Sequence, residues 1–355
     1  MFVSRRKLLK LTGSAAAALA VLPFTNRSYL FAGSVANAIT SDVDPQLPPE
    51  APPTPLGRVA DWAVQIRSGT TQKSDLIRLA RRDELLPLYE QLTGDALFIH
   101  NNVWYKTDGG YAYSAFVQPV QDKKNTPEPE RAKSKFWGEI TVPFADALIE
   151  ANPKAARTTR LYYTSVYRVI DATQDADDQW WYRLQDGVTH NPGPYIAAKA
   201  LRRIDPSELT PVHPDVAPDR KRIEVNLTKQ ILHAYEDDKL LLTSRTATGY
   251  GEHETPIGTF RIIRKRMSSR MIGGEGNDYY DLPGVPFPSY FTASAVAIHG
   301  AYWHNDFGRP RSHGCVNVPA DVARWIWRWT MPEMAYDEVE IRTAKNEPAT
   351  KVVVS

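Results

Sequence analysis

Proline divides this chain. The 355 residues include 27 prolines, many of them clustered between residues 42–56 and 205–219. A proline fixes φ and removes a backbone donor, so such clusters interrupt helices and strands. The pattern predicts compact pieces joined by extended linkers rather than a single helical bundle. We place linkers at residues 39–56 and 206–220, and a weaker polar one at 121–135.

Composition excludes two broad classes. Hydrophobic residues make up 42% of the chain and aromatic residues 10%, enough to fill cores, so global disorder is not expected. The formal net charge is +2, from 43 basic and 41 acidic residues. This near balance lacks the basic excess that nucleic-acid binding requires, so we predict no nucleic-acid partner.

The first residues predict an export signal. Arg5 and Arg6 precede an apolar run over residues 11–24, and Ala36-Asn37-Ala38 provides a small-x-small cleavage site. The run is shorter than the roughly 20 residues that span a bilayer. We therefore predict a signal peptide of the twin-arginine type at 1–38 and export to the cell envelope, either the periplasm or the extracellular wall.

The middle of the chain contains a diverged internal repeat. Val64-Gln65-Ile66 followed by Trp104 is echoed by Val142-Pro143-Phe144 followed by Trp181, at nearly the same spacing. Short apolar runs between polar turns predict strands, and hence two small β-barrels at 57–120 and 138–205. They resemble bacterial SH3-like domains, which implies attachment to peptidoglycan through a glycan or wall polymer. Core packing of the Trp and Tyr side chains is the alternative for each residue taken singly.

A clean alternation begins at Arg222. Ile223, Val225 and Leu227 are apolar at every second position, and two further short apolar runs follow turns, which predicts an antiparallel β meander. The stretch 255–260 is predicted to be a turn that leads into another strand. Residues 264–288 mix glycines, prolines and aromatics without a period, which predicts a long loop over a site.

The chemistry is concentrated around a single cysteine. Cys315 is the only cysteine, so no internal disulfide can form. It lies shortly before a helix predicted to open at Pro319, where the helix N-terminus would favour a thiolate. His299 ends an apolar strand and His313 lies two residues upstream, so either can serve as a base. Gly314 allows close approach to the backbone, whose N–H groups can stabilise an oxyanion.

The pattern His299-Gly300, then Ser312-His313-Gly314-Cys315-Val316-Asn317, closely resembles the catalytic motif of the L,D-transpeptidases of the YkuD family. The resemblance covers residues 221–343 and implies a β-sandwich catalytic domain. The predicted fold class is therefore mainly β, with two SH3-like barrels followed by this domain. The resemblance further implies roles for six residues: Cys315 as nucleophile, His299 as general acid and base, His313 beside the oxyanion, and Ser312, Gly314 and Asn317 as residues that shape the loop.

The same resemblance implies that the substrates are peptidoglycan stem peptides. Cys315 would attack the third-residue carbonyl of a tetrapeptide stem, release D-alanine, and pass the acyl group to a neighbouring stem in a 3→3 cross-link. No metal or organic cofactor is implied. Two other functions stay open: an L,D-carboxypeptidase that resolves the thioester with water, and a wall-binding protein without catalysis.

Three further residues are candidate substrate contacts. Arg309 and Arg311 can hold a carboxylate by paired hydrogen bonds, or they can be solvated loop charges. Tyr290 can line the pocket or pack in the core. A zinc site is an alternative use of the same region, and its ligands would be His299, His304, His313 and Cys315. These residues have suitable ligand types, but their spacing is not a common zinc-finger spacing. We therefore predict no metal.

Overall fold

A computed structural model describes residues 55–185 and 192–355. The predicted signal peptide and nearly all of the first linker lie outside the described residues. The described chain is mainly β, as predicted, and its elements form two β units followed by a larger domain. Within those residues, no helix combines the length and apolar character needed to cross a membrane.

The first β unit contains eight strands in two sheets. Their orders are β4-β1-β8 and β3-β2-β7-β6-β5, and neighbours pair antiparallel. Trp104 is fully buried and contacts Tyr113 edge to face at 5.2 Å between ring centroids, which confirms core packing for these aromatics. The strands are β1 Leu56–Val59, β2 Ala63–Arg67, β3 Leu76–Arg81, β4 Leu85–Pro87, β5 Glu90–Phe98, β6 Asn101–Thr107, β7 Gly110–Tyr113 and β8 Val117–Val120.

The second β unit forms one seven-stranded sheet, ordered β11-β10-β14-β13-β12-β9-β15. A short helix, α1, lies in the stretch predicted as a polar linker. The elements are α1 Pro129–Ala132, β9 Phe136–Ile140, β10 Phe144–Leu148, β11 Arg157–Tyr162, β12 Val166–Gln174, β13 Trp180–Gln185, β14 Pro192–Ala197 and β15 Leu201–Arg203.

Strand order supports the internal repeat. The order β3-β2-β7-β6-β5 in the first unit matches β11-β10-β14-β13-β12 in the second, strand for strand. The pair β1-β8 likewise matches β9-β15. Trp104 on β6 and Trp181 on β13 occupy equivalent strands, as the sequence spacing predicted. The likeness of either unit to SH3 domains stays a prediction.

The third part contains three sheets and one α-helix. Two five-stranded sheets are ordered β18-β17-β16-β27-β19 and β25-β24-β23-β20-β26, and β21 and β22 form a two-stranded sheet. Its elements are β16 Lys221–Asn226, β17 Ile231–Glu236, β18 Lys239–Arg245, β19 Gly258–Arg261, β20 Arg264–Arg266, β21 Ser268–Gly273, β22 Tyr280–Pro286, β23 Ser289–Tyr290, β24 Ala297–Gly300, β25 Val316–Val318, α2 Ala320–Trp329, β26 Glu340–Arg342 and β27 Lys351–Val354.

The predicted meander is present as β16 to β18. Ile223 and Val225 point inward and are fully buried, because alternate strand residues face the same side. They share a core with Ile298, Val316 and Ile326 from the other sheet and α2. Strand β27 pairs in parallel with β16 and lies beyond residue 343, where the sequence placed the end of the domain.

The stretch 264–288 differs from the predicted loop. It contains strand β20 and an antiparallel hairpin of β21 and β22, hereafter the site hairpin. Its register shifts between Ser269 and Met271, so the two-residue period is broken in the sequence. Glycines and prolines in this stretch concealed the strands.

Both β units pack against the third part of the chain. Arg58 is fully buried and donates to the Tyr302 carbonyl at 2.6 Å, while Trp137 donates its indole N–H to the Tyr336 carbonyl at 2.9 Å. The predicted linker at 206–220 also contributes, since Leu209 is buried in the same core as Ile326. The first β unit therefore contacts the segment that joins β24 to residues 312–315, hereafter the cysteine loop.

Candidate active site

Two neighbouring parallel strands bring the motif together. Strand β24 ends in His299-Gly300, and β25 begins directly after Cys315; His299 pairs with Asn317 in register. Extending the register by two residues sets Cys315 beside Ala297. Because side chains alternate along strands, Cys315 and His299 lie on the same face of the sheet, diagonally across neighbouring strands.

His299 is arranged as a neutral base. Its side chain is almost fully buried, and Nδ1 lies 3.1 Å from the Gly300 carbonyl oxygen. A carbonyl only accepts, so Nδ1 carries the proton of the neutral ring and Nε2 keeps its lone pair. Burial lowers the pKa of His299 to about 4, against a smaller opposing effect of that hydrogen bond. The ring is therefore neutral at pH 7.

Cys315 is held as a thiol. The residue keeps part of its surface open, yet burial of the sulfur raises its pKa to about 11, and the Ala297 backbone N–H offsets this only partly. The expected thiolate at a helix start is not supported. Helix α2 begins at Ala320, after the whole of β25, and the field of a helix terminus fades within about one turn.

The cysteine loop is fixed by hydroxyl groups. The Gly314 N–H donates to Ser312 Oγ at 3.2 Å, and Ser312 Oγ donates to the Cys315 carbonyl. Thr255 Oγ1 donates to the Gly314 carbonyl at 2.8 Å and accepts the Gly249 N–H at 2.9 Å. Gly314 has φ near +110°, a conformation that favours glycine. The predicted loop-shaping roles of Ser312 and Gly314 fit these contacts, while Thr255 was predicted only as part of a turn.

Asn317 and His304 form a buried pair beneath the loop. The Asn317 amide lies 3.0 Å from His304 Nε2, and His304 Nδ1 accepts the Asp306 backbone N–H at 3.2 Å. Burial lowers the pKa of His304 well below its ordinary value. His304 therefore serves packing and loop structure. We call His299, His304, Cys315 and Asn317 the floor of the site.

His313 lies on a more exposed edge. Its Nε2 is 2.9 Å from Asp278 Oδ2, and His253 Nε2 is 3.1 Å from the same oxygen. The pKa of Asp278 is lowered, chiefly by the contact with His313 and to a smaller extent by His253. Burial of the carboxylate acts in the opposite direction. The Tyr280 ring lies 4.7 Å from that of His313. We call His253, Asp278, Tyr280 and His313 the rim.

Tyr280 belongs to the rim and lies near Cys315. Burial raises the pKa of its hydroxyl, and nearby Cys315 and Asp278 add to that shift. Sequence reasoning did not identify Tyr280, Asp278 or His253, because each belongs to a segment with no motif of its own. Their positions follow only from the folding of the site hairpin and of the turn at Gly251–His253 toward His313.

Each candidate substrate contact has a protein partner in this structure. Tyr290 is buried, with its hydroxyl 2.8 Å from Ser269 Oγ. Arg311 pairs with Asp306 at 3.2 Å and with Asp61 of the first β unit at 3.1 Å. Arg309 also pairs with Asp306 and lies 3.6 Å over the Phe98 ring. Both guanidinium groups thus contact the first β unit.

These features describe a mainly β domain in which a cysteine and a buried neutral imidazole lie on one face of neighbouring parallel strands. Acyl transfer through a thioester uses these two residue types. Residues 220–354 match the family model for the L,D-transpeptidase catalytic domain, YkuD. The match covers the carboxy-terminal domain and agrees with the family that the motif predicted.

One relative has a name from the same family. A Bacillus licheniformis protein whose name assigns it provisionally as the L,D-transpeptidase YkuD is 29% identical over 109 residues. That match covers 30% of this chain and 56% of the relative, so the chain spans little more than half of that protein.

Solved structures are also similar to parts of this chain. The catalytic domain of an Enterococcus faecium L,D-transpeptidase is 23% identical, with 38% of this chain and 96% of that chain covered and a TM-score of 0.30. An L,D-transpeptidase from Xylanimonas cellulosilytica is 25% identical, with 39% and 62% covered and a TM-score of 0.28.

Proposed function

We propose that this protein is a peptidoglycan L,D-transpeptidase that forms 3→3 cross-links through a thioester on Cys315. One observation carries the proposal: a thiol and a neutral imidazole lie on one face of neighbouring parallel strands, inside a domain of this family. The donor is a tetrapeptide stem, and the acceptor is the side-chain amine of a neighbouring stem.

In the acylation step, His299 Nε2 takes the proton of Cys315 as the sulfur attacks the third-residue carbonyl. The tetrahedral intermediate then collapses, and His299 gives the proton to the amine of departing D-alanine. The Gly314 N–H is already used by Ser312, so we assign the Cys315 backbone N–H as an oxyanion donor, with His313 at its side.

In the second step the acceptor amine attacks the thioester. His299 removes a proton from the amine and returns one to the sulfur, so the free thiol is regenerated and a new amide is formed. Water in place of the amine would give a carboxypeptidase. Exclusion of water by the acceptor decides between the two outcomes.

Mass spectrometry tests the proposal. Incubation with tetrapeptide donor and no acceptor should give an intact-mass adduct on Cys315, and Cys315→Ala should give none. With acceptor present, muropeptide analysis should show 3→3 dimers. Tripeptide alone would favour the carboxypeptidase, and D-alanine release by Cys315→Ala would end the cysteine mechanism.

Export belongs to the same proposal, because the substrates lie outside the cytoplasm. We assign it to the arginine pair Arg5-Arg6. Replacing both with lysine keeps the charge and should retain the precursor in the cytoplasm. Normal export in a strain without the twin-arginine translocase would overturn the route.

We also propose that the β units hold wall polymer. A cavity of about 200 Å³ between the second β unit and the site hairpin supports this, with aromatic and basic side chains, among them Trp137, Tyr167 and Arg168, in its lining. The full chain with Cys315→Ala should co-sediment with peptidoglycan, and Arg168→Glu should reduce the bound fraction. If both proteins sedimented no more than a control protein, the β units would not bind wall polymer and would have only a structural role.

A further inference from the structure

We propose that His253, Asp278 and His313 form a binding site for a divalent metal ion of the zinc class, and that metal bound there inhibits the enzyme. These three rim residues come from separate segments. His253 ends a turn at Gly251–His253, Asp278 ends a turn at Gly276–Asp278 within the site hairpin, and His313 lies in the cysteine loop.

The ligand atoms already converge. Both imidazole Nε2 atoms face Asp278 Oδ2, at 3.1 Å from His253 and 2.9 Å from His313, and the three potential ligand atoms lie within 4.8 Å of one another. Zinc bonds of about 2.0–2.1 Å in a tetrahedron place ligand atoms roughly 3.3 Å apart. Two of the separations therefore need to change by only a few tenths of an ångström.

The donor types select the class of metal. Two imidazoles and one carboxylate suit zinc and its transition-metal neighbours, whereas Mg²⁺ and Ca²⁺ prefer oxygen ligands alone. Three protein ligands leave a fourth position for water. In the metal-free protein the Asp278 carboxylate accepts a hydrogen bond from His253 and lies 2.9 Å from His313 Nε2, and metal binding would displace a ring proton.

Backbone geometry holds the ligands in place. The His253 N–H donates to the Tyr250 carbonyl at 3.1 Å, and the Asp278 N–H donates to the Glu275 carbonyl at 3.0 Å. Gly274 has φ near +70°, and a Cβ there would lie 2.0 Å from the Asp278 carbonyl oxygen. The turn that presents Asp278 thus requires glycine, which limits how far the carboxylate can move.

Inhibition follows from where the metal would bind, and this part rests on the proposed transpeptidase function. A metal ion would link the site hairpin to the cysteine loop by binding Asp278 and His313. Because His313 lies two residues before Cys315, its ring would no longer be available to a substrate. Donor stems would then have to displace it or bind beside a clamped hairpin. Chelation should leave activity intact or raise it, since the chemistry at Cys315 needs no metal.

Titration of the full chain with Zn²⁺ tests the site directly. Calorimetry should show one ion per chain, with the same affinity in Cys315→Ala. His253→Gln removes one ligand from an exposed side chain and should weaken binding by at least roughly tenfold, the loss that even outer-shell partners of a metal cause. His233→Gln, on strand β17, is the matched control and should bind zinc as the unmodified protein does.

Co²⁺ reports the ligands by absorption. Visible d–d bands without a sulfur-to-cobalt charge-transfer band support the histidine and carboxylate site. Such a charge-transfer band, or loss of binding in Cys315→Ala, would place the metal on the sulfur and overturn the proposal. Equal affinity in His253→Gln would overturn it as well.

Donor-adduct formation at Cys315 separates the two proposals. With zinc absent, adduct formation by the unmodified protein tests the enzyme function alone. Zinc should then suppress the adduct in that protein but much less in His253→Gln. Zinc binding without suppression would refute the inhibitory role, whereas no adduct even without zinc would refute the proposed function and leave the metal site to calorimetry.

Discussion

The floor and the rim of the site use the same residue types in opposite ways. On the floor, His299 and Cys315 are surrounded by protein, and burial keeps both uncharged, with pKa values of about 4 and about 11. On the rim, His253 and His313 are partly exposed and share the carboxylate of Asp278. The floor thus holds neutral groups, whereas the rim places a carboxylate between two partly exposed imidazole rings.

The difference explains how a thiol with a raised pKa can act as a nucleophile. A free thiolate is not needed when a neutral base removes the proton during attack. Neither His299 nor Cys315 is charged near neutral pH, so burying the pair costs little electrostatic free energy there. A substrate that closes the site would leave this pair unchanged.

The strongest test of the comparison removes the floor base. His299→Gln keeps a polar side chain of similar size but cannot accept the thiol proton, so acylation should slow by roughly 10²- to 10⁴-fold. Adduct formation, measured by intact mass over time, gives the rate. His233→Gln, which changes a half-buried histidine hydrogen-bonded to Thr243, is the control and should react normally. A full rate in His299→Gln would contradict the role of the floor.

The second test uses pH. The reactive state requires a neutral His299 and a protonated Cys315, so the rate of acylation should hold down to about pH 4 to 5 and fall only below it. An ordinary histidine base would lose activity near 6.5. The rate is measured only where circular dichroism shows an intact fold. An acid limb at 6.5 would show that the buried His299 is not the base.

The sequence predicted the floor far better than the rim. Cys315, His299 and the cysteine loop were found because one short motif contains them, and two adjacent strands join its halves. Asp278 and Tyr280 are brought to the rim by a hairpin whose strands are broken by glycine, proline and a register shift, and His253 comes from a separate turn at Gly251–His253. No local pattern encodes which segment folds over the motif.

The same limit applies to the thiolate prediction. Sequence distance placed Cys315 near a helix start, but it could not show that β25 intervenes or how much protein would surround the sulfur. The repeat, by contrast, was visible from spacing alone, because equivalent strands keep equivalent aromatic positions. The packing of Arg309 and Arg311 on the first β unit depends on how separate units dock, which composition does not reveal.

A third test measures the energetic cost of the floor. His299 is held neutral with a pKa of about 4, while in the unfolded chain it titrates near 6.5. Between these values the unfolded state binds the extra proton, so the free energy of unfolding should fall as pH decreases from 6.5 to 4. The slope from this residue is at most about 1.4 kcal/mol per pH unit. Chemical denaturation at several pH values should show a shallower slope in His299→Gln; an equal slope would mean that the ring is not buried in its neutral form.

The smallest expected effect lies where the floor and the rim meet, at Thr255. Its hydroxyl donates to the Gly314 carbonyl and accepts the Gly249 N–H, so it joins the cysteine loop to the turn that carries His253. Thr255→Val keeps the shape but leaves a buried donor and a buried acceptor unpaired, which should cost about 1–3 kcal/mol of unfolding free energy. Thr255→Ser restores the hydroxyl and is the matched control. If the hydroxyl also positions the loop, Thr255→Val should slow adduct formation at Cys315 at saturating donor, in conditions where the protein remains folded, and Thr255→Ser should recover most of the rate. Loss of stability with an unchanged rate would show that the cysteine loop holds its shape without this link to the rim.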